Sequence, residues 1–384
     1  MLQALTNARI AAKDRMLDHH AVLIEDGWIA DIVPSNDSRL GAIANHDLKG
    51  ALLLPGFIDT QVNGGGGVLF NDEPTVGTIR RMSAAHRKFG TTGFLPTLIS
   101  DDLSVMERAI GAVAQAVRDG VPGVLGIHLE GPFISPARKG VHNVEKFRQI
   151  DARAFDILTS LKGAKTLVTL APEMTTPEMI ARLSAAGVIV AAGHTNATYD
   201  QIVDAYRHGL TGFTHLFNAM SPLTGREPGV VGAALSSPTS YCGIIVDGRH
   251  VHPEVLKLAL RCKPHDRFML VTDALANVGT SLETFQLLGA TIRIHNGVYV
   301  DENGTLAGSA LDMSRAVRNA MDFLGVSLIE AITMASAAPA AFLGLGHEVG
   351  QIAKGLRANF VVADNALKVH GTWIDGVPFD GASG

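Results

Sequence analysis

The middle of the chain alternates short, continuous apolar runs with longer stretches in which apolar positions recur every three or four residues. Continuous runs suit strands buried on both faces, and the wider spacing marks amphipathic helices. Eight runs stand out: Leu53 to Ile58, Gly93 to Leu98, Val124 to Leu129, Thr166 to Leu170, Val188 to Ala192, Gly212 to Leu216, Gly243 to Val246 and Phe268 to Val271. Helical spacing lies between most of them, as over Thr78 to Phe89, Asp102 to Arg118, Glu178 to Ala186 and Pro253 to Arg261. The alternation predicts βα units and a parallel sheet. Eight units are the number that closes a (β/α)8 barrel of the TIM type, although an open doubly wound sheet fits the same alternation.

Both ends read differently. Ala21 to Glu25 and Trp28 to Val33 form a strand pair around the tight Asp26-Gly27 turn, and Phe360 to Ala363 and Thr372 to Ile374 have the same character. Neither end has enough apolar residues for its own core. They are therefore expected to combine into one small β-sandwich, residues 1–52 with 347–384, beside a catalytic barrel over 53–346. After the eighth run, Thr291 to Ile294, His295-Asn296-Gly297, Val298 to Val300 and Asp301 to Gly304 predict an inserted β-hairpin.

Composition narrows the function classes. The 384 residues are 47% hydrophobic with a formal net charge of -5, which argues against a nucleic-acid or anionic-membrane surface. No apolar run is long enough for a membrane span, and MLQALTNARIAAKDR lacks the basic and apolar regions of a secretion signal. Two cysteines, Cys242 and Cys262, make no disulfide framework, so a reducing, cytoplasmic setting is expected.

The candidate chemistry lies where the runs end. The first run is followed by Asp59, Gln61 and Asn63, the third by Glu130, the fourth by Glu173 and the fifth by His194. The sixth delivers His215, the seventh Asp247 and His250, and the eighth Asp273. On a barrel, these positions converge on one mouth. Glu130, His194 and His215 make a carboxylate-plus-two-imidazole set, the composition of an open, catalytic metal site. A metal in such a site lowers the pKa of a bound water to about 7. Taken singly, His194 in GHTNAT also reads as a neighbour of a helix cap, and His215 in THLFNA as a satisfied core histidine. Asp273 in LVTDALA fits a proton carrier between water and leaving group, or a helix N-cap. His142 in KGVHN fits a donor to a substrate carbonyl, or an exposed loop histidine. NGGGG at 63–67 lacks the spacing of a phosphate loop and reads as a flexible turn. GREPG at 225–229 carries Arg226, a planar fork suited to an oxyanion or to a surface ion pair, with Asn218-Ala219 just upstream.

The strings PGFIDTQVNGGGG, GIHLEGPF, KGVHN, AGHTNATY, THLFNAMSPLTGREPG, VDGRHV, LVTDA and VDENGTLAGS, with GLRANFVV near the end, resemble the N-acetylglucosamine-6-phosphate deacetylase family of the amidohydrolase superfamily. They occur in the family's order and span most of the chain. The resemblance implies a metal-dependent barrel with a β-sandwich from both termini, acting as a homodimer. It implies hydrolysis of N-acetyl-D-glucosamine 6-phosphate to glucosamine 6-phosphate and acetate, in amino-sugar catabolism and cell-wall recycling. Matched by position, Glu130, His194 and His215 are the implied metal ligands, Asp273 the acid/base and His142 the contact to the acetyl carbonyl. Asn218, Ala219 and Arg226 match the phosphate region, and His250 a phosphate contact reaching the neighbouring subunit's site. Val141 and Leu306-Ala307-Gly308 match further substrate contacts. Many superfamily members carry a histidine pair where this chain has Gln61 and Asn63, neutral amides that are poor zinc ligands. One divalent metal is therefore expected, zinc by preference, with iron, cobalt and manganese compatible with the same ligands. Two rival readings are a deacetylase for the galactosamine or mannosamine epimer and a non-catalytic assembly module on the same barrel.

Overall fold

The computed structural model describes residues 1–380 apart from 288, 296, 297, 303 and 305. Eight parallel strands lie side by side in chain order: Phe57–Val62, Thr91–Ile99, Gly126–Glu130, Lys165–Leu170, Ile189–Ala192, Leu210–Phe213, Tyr241–Ile244 and Phe268–Leu270. The closed barrel, rather than the open sheet, is the observed fold. Closure is made by side chain and backbone together. The Thr272 hydroxyl donates to Asp59 Oδ2 at 2.5 Å, Val62 bridges Ala274, and the Asp273 N–H donates to the Gln61 carbonyl at 3.0 Å.

The helices cover the barrel with one apolar face each. In Leu103–Arg118, the buried positions Leu103, Met106, Ala109, Ile110, Val113 and Ala116 recur at helical spacing. Burying each of the larger ones contributes roughly 1.5–3 kcal/mol, so a charge at Val113 would break this face.

Strands from both ends form one eight-strand mixed sheet, in which Phe360–Ala363 and Leu52–Pro55 pair antiparallel next to Leu2–Ala12. Leu5, Val22, Ile24, Leu53, Phe360 and Trp373 share its core. The expected run Leu53 to Ile58 is split between two sheets. Leu52–Pro55 belongs to the terminal sheet, and Phe57–Val62 opens the barrel. Gly56 makes the crossing, because a Cβ there would lie 1.9 Å from Thr92 Oγ1.

The insertion has three antiparallel strands, Thr284–Leu287, Ala290–His295 and Val298–Val300, one more than the predicted hairpin. Its Asn296-Gly297 turn and Asn303 lie outside the described residues. Leu287, Ile292 and Tyr299 pack on Leu69, Ile99 and Leu275 beside the barrel mouth. NGGGG is a tightly packed turn rather than a flexible one. Gly64–Gly65 pairs with Val68–Leu69, Gly66 and Gly67 donate to Val278 and Ala276, and a Cβ on Gly64 would meet the Val68 carbonyl at 2.4 Å.

Candidate active site

Glu130 ends the third barrel strand, so the strand's own register aims its carboxylate into the mouth. His194 follows the fifth strand and His215 the sixth, each in a left-handed backbone conformation, φ +48° and +33°. Asp273, after the eighth, has φ +50°. Such angles are disfavoured for residues with a Cβ, and their gathering at the strand ends marks a place where side-chain direction outweighs backbone comfort.

Three ligand atoms converge. His215 Nε2 lies 2.9 Å from Glu130 Oε1, His194 Nε2 lies 3.3 Å from the same oxygen, and the two imidazole nitrogens are 3.1 Å apart. The Arg138 carbonyl, 2.8 Å from His194 Nδ1, can only accept, so Nδ1 carries the proton and Nε2 presents its lone pair to the centre. Lone pairs packed this closely in a buried site repel unless positive charge lies between them. The donor set, one carboxylate oxygen and two imidazole nitrogens all within 4.8 Å of one another, therefore fits a divalent metal. Burial opposes ionisation of Glu130, yet the two imidazoles beside it, His194 and His215, hold its carboxyl well below the usual range.

Asp273 Oδ1 accepts from Asn63 Nδ2 at 2.7 Å and from Gln61 Nε2 at 3.1 Å, and the same Gln61 amide reaches Glu130 Oε1 at 3.2 Å. Burial, then the charge of Glu130, pushes the Asp273 carboxyl up to about 6. His142 Nδ1 accepts from the Ser100 N–H at 3.3 Å with the Ser100 hydroxyl at 2.7 Å, which leaves Nε2 as the protonated nitrogen. Burial and the neighbouring His194 keep this imidazole neutral, well below its ordinary pKa.

Asn63, Glu130, His142, His194, His215 and Asp273 line a cavity of about 240 Å³ together with Val141, Asn218, Ala219, His250, Leu306, Ala307 and Gly308. Arg226 stands exposed on a loop and is not part of this lining. His250 lines the cavity of its own chain, with Asp247 Oδ2 2.6 Å from its Nδ1.

The amidohydrolase family model matches residues 52–378, and the NagA composite domain model matches residues 2–53. The chain belongs to the amidohydrolase family. This amidohydrolase is 43% identical over 370 residues to the N-acetylgalactosamine-6-phosphate deacetylase of Shewanella sp. (strain ANA-3), covering 96% of this chain and 94% of that one. The crystal structure of N-acetylglucosamine-6-phosphate deacetylase from Pasteurella multocida superposes with a TM-score of 0.95 at 37% identity, over 99% of this chain and 100% of that one. A mutant of N-acetyl-D-glucosamine-6-phosphate deacetylase from Mycobacterium smegmatis, in complex with N-acetyl-D-glucosamine-6-phosphate, superposes with a TM-score of 0.90 at 33% identity, over 98% of both chains.

The amidohydrolase's sequence gives no sign that Ser100 orients His142 or that Asp59 is the bolt of the barrel. Both are ordinary strand-end residues until their partners are known. Gln61 and Asn63 appear in sequence only as missing metal ligands, whereas the fold makes them the donors that hold Asp273. Among the described residues, no helix is long and apolar enough to cross a membrane.

Proposed function

We propose that this amidohydrolase removes the acetyl group of N-acetyl-D-glucosamine 6-phosphate, giving D-glucosamine 6-phosphate and acetate. One observation carries the reading: the Glu130, His194 and His215 ligand atoms and the Asp273 carboxylate, from four different strand ends, open into one cavity. Glu130, His194 and His215 would hold a single divalent ion, zinc by preference. Bound there, such an ion supplies Lewis-acid polarisation and makes a water acidic enough to ionise near neutral pH.

The chain's own groups do the rest. Asp273, fixed through Oδ1, takes the proton from the attacking water at its other oxygen. It later gives that proton to the departing amine, which leaves readily only when protonated. His142 donates from Nε2 to the acetyl oxygen as negative charge grows there. Val141 and Leu306 to Gly308 shape the acyl and sugar walls, while Asn218, Ala219 and His250 face the sugar-phosphate end.

Among the described residues, no lysine or arginine lines the cavity. A phosphate dianion therefore draws its counter-charge from the rim, where Arg226 stands on an exposed loop. A homodimer that brings this loop to a partner's cavity is the arrangement we propose.

A second reading, N-acetyl-D-galactosamine 6-phosphate as substrate, is favoured by the 43% identity to the Shewanella enzyme. The two sugars differ in the orientation of one hydroxyl. Acetate release from the 6-phosphates of N-acetylglucosamine, N-acetylgalactosamine and N-acetylmannosamine, before and after chelation and zinc return, tests the proposal. The glucosamine substrate is expected to give the highest kcat/KM and to lose turnover with the chelator. A higher value for an epimer would reassign the substrate, and no acetate from any of them would leave a non-catalytic barrel.

A further inference from the structure

Glu173 sits in the short turn that ends the fourth barrel strand, Pro172–Met174, outside the cavity lining. Its carboxylate is nevertheless fully engaged. The Thr195 hydroxyl donates to Oε2 at 2.5 Å and the Asn196 N–H donates to Oε1 at 2.6 Å. Both donors belong to the residues immediately after His194, whose left-handed backbone needs outside support.

The bonds continue into a ring. Asn196 Oδ1 accepts from Arg138 Nε at 3.0 Å, and the Arg138 carbonyl accepts from His194 Nδ1 at 2.8 Å. The Ser135 N–H donates to the His194 carbonyl at 2.8 Å. The fourth strand's exit, the turn carrying His194 and the long loop carrying His142 are thus tied together through one carboxylate. A carboxylate offers only acceptors, and both hydrogens it receives come from the turn that sets the direction of the His194 ring.

We propose that Glu173 is a positioning residue for His194: it holds the turn and, through Asn196 and Arg138, the carbonyl that fixes the ring's tautomer and aim. This rests on the reading of Glu130, His194 and His215 as a metal site. Groups that orient a metal-binding histidine in this way are worth about 10–100-fold in metal affinity.

The test is metal binding itself, independent of turnover. Co2+ is titrated into metal-free protein and followed by its visible absorption, and Zn2+ affinity is measured by competition with a chromophoric chelator. Glu173→Met, which removes both acceptors, is expected to weaken Zn2+ about 10–100-fold and to alter the Co2+ spectrum, with the melting temperature of the metal-free protein unchanged. Glu173→Gln keeps one acceptor for the Asn196 N–H and is expected to recover most of the loss. Wild-type affinity in Glu173→Met overturns the proposal. So does an equal drop in the melting temperature of metal-free and metal-loaded protein, which would make Glu173 a general brace. Should Glu173→Met fail to fold, Asn196→Ala decides: weaker Zn2+ binding supports the ring, and unchanged binding breaks it. Wild-type protein that binds neither ion would overturn the metal reading itself, an outcome distinct from equal binding by wild type and variant.

Discussion

Asn63 Nδ2 lies 2.7 Å from Asp273 Oδ1, and Gln61 adds a second N–H to the same oxygen at 3.1 Å. Oδ2 is therefore the oxygen left open for the proton transfer we propose. Replacing Asn63 by leucine keeps the volume and removes the donor. A hydrogen bond to a charged group contributes roughly 1.5–3 kcal/mol, so kcat should fall about 10–100-fold with metal content intact. Steady-state kinetics with elemental analysis would check it, and an unchanged kcat would mean that Asp273 needs no such anchor.

Asp273→Asn should fold and bind metal as the wild type does, yet lose about 10²–10⁴-fold in kcat, the usual worth of a general acid or base. The amide is nearly isosteric but accepts no proton. A variant within a factor of a few of the wild-type rate would remove Asp273 from the mechanism.

Arg226→Ala should discriminate between phosphorylated and plain sugar. Loss of a charge-assisted contact is expected to raise KM for the 6-phosphate roughly 10–100-fold, and to leave kcat/KM for free N-acetylglucosamine nearly unchanged. Equal losses on both substrates would show that this exposed arginine does not read phosphate. Mixing Arg226→Ala with Asp273→Asn adds a check on the dimer. Activity recovered in the mixture requires a cavity with its own Asp273 and a partner's Arg226.

Stability should depend on pH through His86. This buried imidazole donates from Nε2 to the Gly64 carbonyl at 2.8 Å, its Nδ1 has no hydrogen-bond partner among the described residues, and burial lowers its pKa from 6.5 to about 4. The folded value lies below the unfolded one, so protons favour the unfolded chain. The stability present above pH 6.5 is lost progressively as pH falls toward 4, by about 3 kcal/mol at full protonation. Denaturant midpoints of wild type and His86→Gln, compared across this range, would isolate the effect. Parallel curves for the two proteins would assign the acid sensitivity elsewhere.

Much of the barrel is legible in the chain because strands buried on both faces leave uninterrupted apolar runs, as Val124 to Leu129 does before Glu130. The boundary at Gly56 is not legible, since LLLPGFI is equally apolar on both sides and only the Thr92 contact reveals where the sheets part. The helices Met313–Asn319, Leu328–Ile332 and Ala338–Phe342 are not singled out by the sequence pattern. Wider π turns at Ala320–Leu324 and Thr333–Ala337 separate them and disturb the spacing of apolar positions. In the site, the residues with the most distinctive chemistry, Glu130, His194, His215 and Asp273, are readable from type and position. Ser100, Asn63 and Glu173 are not, because a serine, an asparagine or a glutamate acquires its role from a partner distant in the chain, as Asn63 does from Asp273, 210 residues on.

The Asp59–Thr272 bond has a consequence for the timing of synthesis. It joins positions 213 residues apart, and it seats the neighbouring carboxylate against amides made long before. During translation Glu130, His194 and His215 are all made before Asp273. The first strand can be bolted to the last only after residue 272 has been made, so closure of the ring waits for the final stave.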